Sequence, residues 1–187
     1  AWIERSGGGA VATDHVVGVS PFITGQAILR LPDRAFGVLV RGIDLARESR
    51  VSQLSDYVVM GRLPERDEEL VIGTELAAFL GAGPGDPIRL ISPADGKTSE
   101  FVVSGIFRSG MYEYDANMVG MTLPRAQQLY ELEGLVTGIG IKLDQLELAP
   151  SVKSAIEDAV GPAYTVRTWM EQNQTLFDAL KLEKITM

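Results

Sequence analysis

The densest cluster of polar and aromatic side chains in this sequence is the run Met111, Tyr112, Glu113, Tyr114 and Asp115. Glu113 and Asp115 are two residues apart, so an extended strand would place both carboxylates on one face. Such a pair can do acid/base chemistry in glycoside hydrolysis. We favour the simpler interpretation, a surface loop with packed rings and solvated carboxylates, because no His, Lys or metal motif accompanies the pair. Since exposed aromatic side chains also anchor partner proteins, Met111, Tyr112, Glu113 and Tyr114 are candidate partner-contact residues.

Other residues with catalytic potential lack the context that catalysis needs. His15, the single histidine, stands beside Asp14, and a structural or solvated role is favoured for it. The glycines at 7–9 lack the Gly-Lys-Ser/Thr of a phosphate-binding loop and indicate a linker. Ser104 lacks the Gly-x-Ser-x-Gly elbow. We therefore expect no catalytic residue, no cofactor and no metal site, and any nucleotide hydrolysis would belong to another chain.

Composition indicates a folded, acidic protein. The 187 residues are 45% hydrophobic and 22% charged, which is typical of globular chains. The net charge of −8 argues against nucleic-acid binding, which usually needs a basic surface. The absence of cysteine excludes disulfides and thiolate sites. No apolar run approaches the roughly 18 residues that span a bilayer, and no signal peptide is visible, so we expect both ends to be boundaries within a longer protein.

Turn residues and apolar periodicity predict an α+β fold. We expect hairpins over 22–43, turning at Pro32-Asp33-Arg34, and over 88–107, turning at residues 93–96. The remaining predicted strands are 16–19, 69–72, 117–122, 136–143 and 164–166. The predicted helices are 51–60, 74–80 with Thr74 as its cap and Gly81 as its stop, 123–134, 150–161 and a final helix after Thr168. Residues 1–49 with 113–187 are predicted to form an α+β sandwich, and residues 50–112 an inserted β-rich part.

The final helix begins with a capping box and has no stop signal. Thr168 and Glu171 can each satisfy the other's backbone N–H, and residues 182–187 contain neither Gly nor Pro. Lysines on its last turns could reach lipid headgroups or complement the helix dipole; the missing stop favours the membrane alternative. We call four residues the membrane-proximal lever: Trp169, Phe177, Leu180 and Lys184.

Five stretches in order resemble one family: 18–26 (GVSPFITGQ), 40–44 (VRGID), 71–77 (VIGTELA), 105–115 (GIFRSGMYEYD) and 169–184, from WMEQN to LEK. They resemble the periplasmic domain of the LolC/LolE family, the permeases of lipoprotein-releasing ABC transporters. The resemblance covers residues 16 to 187 and implies a MacB-like periplasmic core domain. In that fold, an α+β "porter" part carries an inserted β-rich "sabre" part.

The resemblance also implies a function without enzymatic activity of this chain. Such permeases have four membrane helices, and this domain would lie in the periplasm between the first two, in a protein of the inner membrane. They extract lipoproteins and pass them to the chaperone LolA, while a cytoplasmic subunit, LolD, hydrolyses ATP. A second permease subunit completes the complex. The isolated domain is expected to be monomeric, because the membrane part holds the dimer together.

One departure concerns the chaperone. In the LolC branch a protruding hook recruits LolA, and it would lie here between residues 91 and 101. Residues 92–100 are too few for that hook, which favours a LolE-like role in contacting lipoprotein or a variant hook. Pro93 and Asp95 are the candidate contacts there. The alternatives are a MacB-type exporter, an FtsX-like signalling permease, or a free-standing soluble binding module or hydrolase.

Overall fold

A computed structural model describes residues 15–172 of the chain. By packing, the chain divides into a larger unit, Gly18–Lys142, and a smaller unit that contains residues 15–17 and 143–172 of this range. None of the helices formed by residues 15–172 is long and apolar enough to span a membrane. The predicted linker at 7–9 and the lever residues Phe177, Leu180 and Lys184 lie outside the described residues.

The described elements are eight strands and six α-helices. The strands are β1 Val16–Arg30, β2 Ala35–Ile43, β3 Val58–Gly61, β4 Glu69–Gly73, β5 Pro87–Ile91, β6 Thr98–Phe107, β7 Met118–Thr122 and β8 Gly138–Leu143. The helices are α1 Leu45–Val51, α2 Thr74–Leu80, α3 Tyr112–Asn117, α4 Leu123–Leu129, α5 Ala149–Val160 and α6 Trp169–Gln172. The predicted α+β class is confirmed.

Six strands of the larger unit close into a barrel. Around the ring, β1 pairs with β2, β2 with β7, β7 with β4, β4 with β6, β6 with β5, and β5 with β1. The β2–β7 and β4–β6 pairs are parallel and the other four are antiparallel. β3 extends from β6, and β8 extends from β1. Closure leaves these six strands few unpaired edges, which a flat sheet would expose.

The barrel interior is the hydrophobic core. On β1, β2, β5 and β6 buried residues tend to alternate with exposed ones, as the two-residue period of a strand predicts. The largest side chains that are almost fully buried come from the barrel strands and, in the case of Leu76, from α2: Ile23, Leu29, Val38, Val40, Leu70, Ile72, Leu76, Leu90, Phe101, Val103, Val119 and Met121. Helix α4 adds Ala126 and Leu129 to this core. Ala126 packs directly against Gly42, and a side chain at position 42 would collide with it.

Both predicted hairpins are confirmed. β1 and β2 pair from Phe22↔Ile43 to Arg30↔Ala35, around the Pro-Asp-Arg turn. β5 and β6 pair from Pro87↔Val102 to Ile91↔Thr98. The predicted helices beginning near 74, 123 and 150 and the strands near 69, 117 and 136 are also present, with ends displaced by a few residues. Gly81 ends α2 in the left-handed conformation, as predicted.

Three predictions about local structure are wrong. Residues 51–60 are not one helix: α1 begins earlier, where Asp44 caps it, and residues 58–61 form β3, because pairing with β6 outweighs local preference. The strand predicted to end at Ser20-Pro21 continues to Arg30, since Pro21 precedes the first pair with β2 and its missing N–H costs that ladder nothing. Residues 164–166 have no strand partner among residues 15–172 and form no strand.

The cap predicted at Thr74 is one residue late. Gly73 occupies the cap position and Thr74 is the first helical residue. Gly73 suits the site because the backbone of Asp115 approaches so closely that no side chain would fit.

The predicted division at residues 50 and 112 stays a prediction. From the predicted insertion, β4 pairs with β7 and β5 pairs with β1, and both partners lie outside it. Any inserted part therefore shares its sheet with the part that carries it.

Candidate partner-contact surface

A buried carboxylate organises the segment that contains the aromatic cluster. Asp115 is only 5% exposed and its carboxylate accepts hydrogen bonds from Ser109 N at 2.7 Å, Ser109 Oγ at 2.8 Å and Gly110 N at 3.3 Å. Hydrogen bonds to an ionised acceptor are among the stronger kind. They fold residues 109–111 against the start of α3, so the conformation of this segment is defined by Asp115.

The same fold leaves the aromatic side chains in solvent. Tyr112 is 72% exposed, Met111 46% and Tyr114 39%. Glu113 is exposed whereas Asp115 is buried, because the segment is helical and residues two apart on a helix face different directions. The arrangement of two carboxylates on one face of an extended strand is therefore absent. What remains is a rigid display of large side chains, which suits partner binding.

A second group of exposed apolar residues adjoins this segment. The Arg108 N–H donates to the Tyr57 carbonyl at 2.8 Å, which joins the segment to the start of β3. Tyr57, Val59 and Met60 are each about half exposed, on a strand paired on one side only, with β6, within residues 15–172. Sequence reasoning missed these residues because it placed them in a helix; three consecutive large apolar residues, Val58 to Met60, were the available signal.

We define the contact surface as Tyr57, Val59, Met60, Met111, Tyr112 and Tyr114. Tyrosine and methionine are enriched in protein interfaces, and methionine adapts to differently shaped partners. The candidate role of Met111, Tyr112, Glu113 and Tyr114 in partner contact stays a prediction.

The turn between β5 and β6 is compact. Ser92 is buried, and its hydroxyl donates to the Leu129 carbonyl at 2.6 Å and accepts from Ala94 N at 3.1 Å. Asp95 accepts from Lys97 N and forms an ion pair with the Lys97 ammonium at 2.6 Å. That hydrogen-bonded pair lowers the pKa of Asp95. Pro93 and Asp95 are exposed on this turn, and their role as contacts stays a prediction.

The predicted capping box is confirmed in the smaller unit. Thr168 N donates to the Glu171 carboxylate at 2.8 Å, and Glu171 N donates to the Thr168 hydroxyl at 3.2 Å. Lys153 of α5 lies 2.7 Å from Glu171, and this hydrogen-bonded pair lowers the pKa of Glu171. The first turn of α6 is thereby tied to α5. Trp169 is about half exposed.

His15 and Ser104 both make hydrogen-bond contacts within the fold. His15 Nδ1 lies 3.2 Å from Asp144 Oδ1. The Ser104 hydroxyl lies 3.1 Å from two backbone carbonyls, those of Arg62 and Leu70. Among residues 15–172, no group of three or more His, Asp or Glu side chains could hold a metal ion. Neither His15 nor Ser104 stands in a catalytic arrangement.

The pKa of Glu69 is lowered by hydrogen bonds that stabilise a loop. Glu69 makes a two-point contact with the Arg62 guanidinium, at 2.6 and 2.8 Å, and accepts from the backbone N–H of Glu65 and Arg66. The Arg62 contact lowers the pKa of Glu69 to about 2. These bonds hold the charged loop that leads into β4.

Burial raises the pKa of Tyr130 to about 12, and its ring packs against Gly25.

Several curated proteins are similar to this chain along most of its length. The sequence is 29% identical over 184 residues to the "lipoprotein-releasing system transmembrane protein LolC" of Neisseria meningitidis serogroup B, covering 92% of this chain and 44% of that protein. The protein of the same name from Xylella fastidiosa is 29% identical over 189 residues, covering 95% of this chain and 45% of that protein. The chain spans a little under half the length of these relatives. No family model matches the sequence.

Solved structures show the same fold. The extracellular domain of the noncanonical ABC-type transporter YknZ from Gram-positive bacteria matches with a TM-score of 0.54 and 14% identity, over 78% of this chain and 76% of that one. The periplasmic region of MacB from Actinobacillus actinomycetemcomitans matches with a TM-score of 0.51 and 13% identity, over 78% and 68%. The resemblance to the LolC/LolE family is thus confirmed in sequence, and that to MacB-like periplasmic domains in fold.

Proposed function

We propose that this chain is the periplasmic domain of an inner-membrane ABC transporter permease that extracts lipoproteins and passes them to a periplasmic chaperone. The observation that carries the proposal is the similarity to proteins named LolC along more than nine-tenths of the chain. In this proposal the chain is not an enzyme. A separate cytoplasmic ATPase, LolD, hydrolyses ATP, and a second permease subunit completes the membrane part.

The contact surface is the proposed site for the transported lipoprotein. Its six large side chains are exposed, and the hydrogen bonds of Asp115 stabilise the segment that carries three of them. Lipoproteins differ in sequence, and adaptable methionine side chains together with large, rigid tyrosine side chains suit such a variable partner. The tight β5–β6 turn offers only a small surface for LolA, so we assign chaperone docking to the other permease subunit, or to a contact through Pro93 and Asp95.

The helix that begins at Trp169 is the proposed mechanical link to the membrane. Its first turn is held by the Thr168–Glu171 capping box and by Lys153. A firmly started helix transmits a displacement better than a frayed one. Trp169, Phe177, Leu180 and Lys184 are proposed to line this lever.

The test is lipoprotein release by the full-length permease assembled with its partner permease and ATPase in membrane vesicles. We expect ATP-dependent release of a lipoprotein into solution only when LolA is present. Replacing Met111 and Tyr112 together by Ala should lower release several-fold while leaving ATP hydrolysis intact. Replacing the exposed Leu146 by Ala is the matched control and should leave release unchanged.

Two results would contradict this proposal. Vesicles that hydrolyse ATP but release no lipoprotein with LolA present would exclude the transport role. Equal release by the Met111/Tyr112 variant and the Leu146 control would exclude the contact surface. Thr168→Ala tests the lever separately: release per ATP hydrolysed should fall, because the helix start loses its cap.

The second candidate is an exporter or signalling permease of the MacB or FtsX type. The fold likeness to the YknZ and MacB domains favours it. Crosslinking from a photoreactive group at position 112 separates the two candidates. Labelling of lipoprotein supports release, whereas labelling of another periplasmic protein and no lipoprotein supports the alternative.

A further inference from the structure

A small cleft opens at one mouth of the barrel, on a different part of the larger unit from the contact surface residues. It lies between the β1–β2 turn, the end of α2 and the start of β5, and has a volume of about 210 Å³. Its apolar wall includes Leu31, Leu80, Ala82 and Ile88. Ile88 belongs to the core, and the other three pack partly buried against it, so the wall is firmly supported.

Two arginines stand at this cleft in an unfavourable arrangement. Arg30 of β1 and Arg89 of β5 both line it and are direct cross-strand partners. Like charges placed directly opposite each other on a sheet destabilise it. The chain has a net charge of −8, so a concentration of positive charge here is not a consequence of general composition.

Neighbouring carboxylates compensate only one of the two arginines. Arg89 Nε lies 3.1 Å from Glu100 Oε2. Arg30 forms no ion pair with any carboxylate of residues 15–172, and neither does Asp33 of the adjoining turn with any cation there. Of the two arginines that line the cleft, Arg30 is therefore a cation without a carboxylate partner among residues 15–172, beside an apolar wall.

We propose that this cleft binds a small amphipathic anion, whose acidic group lies between Arg30 and Arg89 and whose alkyl chain enters the cleft. A bridging anion would relieve the repulsion between the two guanidinium groups, and arginine forks match carboxylate and phosphate oxygens. A cavity of 150 Å³ holds benzene, so the cleft has room for roughly eight carbons by the same measure. A neutral alkyl chain would contact the apolar wall but form no ion pair with the arginines. An inorganic anion would pair with the arginines but leave the wall uncovered.

The test measures binding of octanoate to the 187-residue chain, by the shift of its thermal unfolding midpoint and by calorimetry. Octyl glucoside, with the same chain and no charge, and acetate, with the charge and almost no chain, are the ligand controls. We expect octanoate to raise the midpoint and both controls to do so far less. Because a hydrogen bond to a charged group contributes about 1.5–3 kcal/mol, Arg30→Gln should weaken octanoate binding about tenfold or more.

Three variants separate the contribution of the Arg30 charge from that of the apolar cleft. Without ligand, Arg30→Gln should unfold at the same or a higher temperature than the parent, because a repulsive pair has been removed. Arg66→Gln removes the same charge from an exposed loop and should not change octanoate binding. Ala82→Met fills the cleft while leaving both arginines, and should abolish binding of the alkyl chain.

Clear outcomes would overturn the proposal. It fails if octanoate does not bind, if octyl glucoside binds equally well, or if Arg30→Gln and Arg66→Gln behave alike. Flotation with phosphatidylglycerol vesicles identifies the source of the anion. Arg30-dependent flotation assigns the site to an anionic lipid, and its absence together with octanoate binding assigns the site to a free anion.

Discussion

Two carboxylates, those of Asp115 and Glu69, each stabilise a loop by accepting hydrogen bonds. Asp115 is buried and takes its hydrogen bonds from backbone and serine donors. Glu69 is mostly covered and pairs with Arg62. Each carboxylate stabilises one conformation of the loop whose groups donate these hydrogen bonds. Removing either carboxylate should therefore lower the free energy of unfolding by more than removing an exposed carboxylate does.

Asp115→Asn should lower the free energy of unfolding by about 1–3 kcal/mol, because the neutral amide accepts these hydrogen bonds less strongly and can accept on only one atom. Urea denaturation measures the change. Glu113→Gln, in the same helix but exposed, is the control and should change stability by less than about 0.5 kcal/mol. Equal effects of the two substitutions would show that Asp115 does not organise the segment.

Glu69→Gln should have an effect that depends on pH. The pKa of Glu69 in the folded chain, about 2, lies below its ordinary value of 4.5. The ionised group therefore contributes stability that is fully present above pH 4.5 and is lost as the pH falls through the folded value of about 2. Urea titrations of the parent and of the Glu69→Gln variant should differ by a constant amount near neutral pH and converge towards pH 2. A difference independent of pH would refute the assignment.

The elements were predictable where their signals are local. The Pro-Asp-Arg turn, the Asp-Gly pair in the β5–β6 turn and the Thr168–Glu171 box depend on residues close in sequence, and all three features are present. β3 was not predictable in this way. Residues 58–61 are a strand because β6 supplies their ladder partners, whereas the short apolar run Val58 to Met60 fits a helix or a strand equally well.

The contact of α4 with the barrel depends on a glycine. Gly42→Ala should lower stability by about 1–3 kcal/mol, because the added methyl group collides with Ala126 in a closely packed core. Gly37 lies on the same strand, where an added methyl group meets open space. Gly37→Ala should therefore be neutral or stabilise by up to about 1 kcal/mol. Thermal unfolding of both variants gives the comparison, and similar losses would exclude the packing explanation.

For the molecule as a whole, exposed apolar residues occur along much of the described chain, both on the barrel strands and outside them. The six barrel strands pair in a closed ring, so we take the exposed apolar residues of β3, which pairs on one side only among residues 15–172, and of residues 111–114 as the candidate interaction surface. Trp169, the one described residue of the proposed membrane-proximal lever, lies in the smaller unit. Attachment to a membrane permease stays a proposal that depends on the similarity to LolC.

We propose that the isolated chain is a monomer, because in the proposed transporter the membrane part would hold the two permease subunits together. Sedimentation velocity at increasing concentration should give a single species near the mass of 20.2 kDa. The Met60→Ser variant should sediment identically. A dimer that Met60→Ser dissociates would instead show that the contact surface joins two copies of the chain.

The sequence by itself determined the two hairpin turns, the Thr168–Glu171 capping box and the α+β class, because these depend on neighbouring residues or on residue type. Only the tertiary structure decided the closure of the barrel, the burial of Asp115 rather than Glu113, and the juxtaposition of Arg30 with Arg89. Each of these depends on segments far apart in the chain. Strand register and burial arise when such segments pack together, and no local pattern specifies their partners.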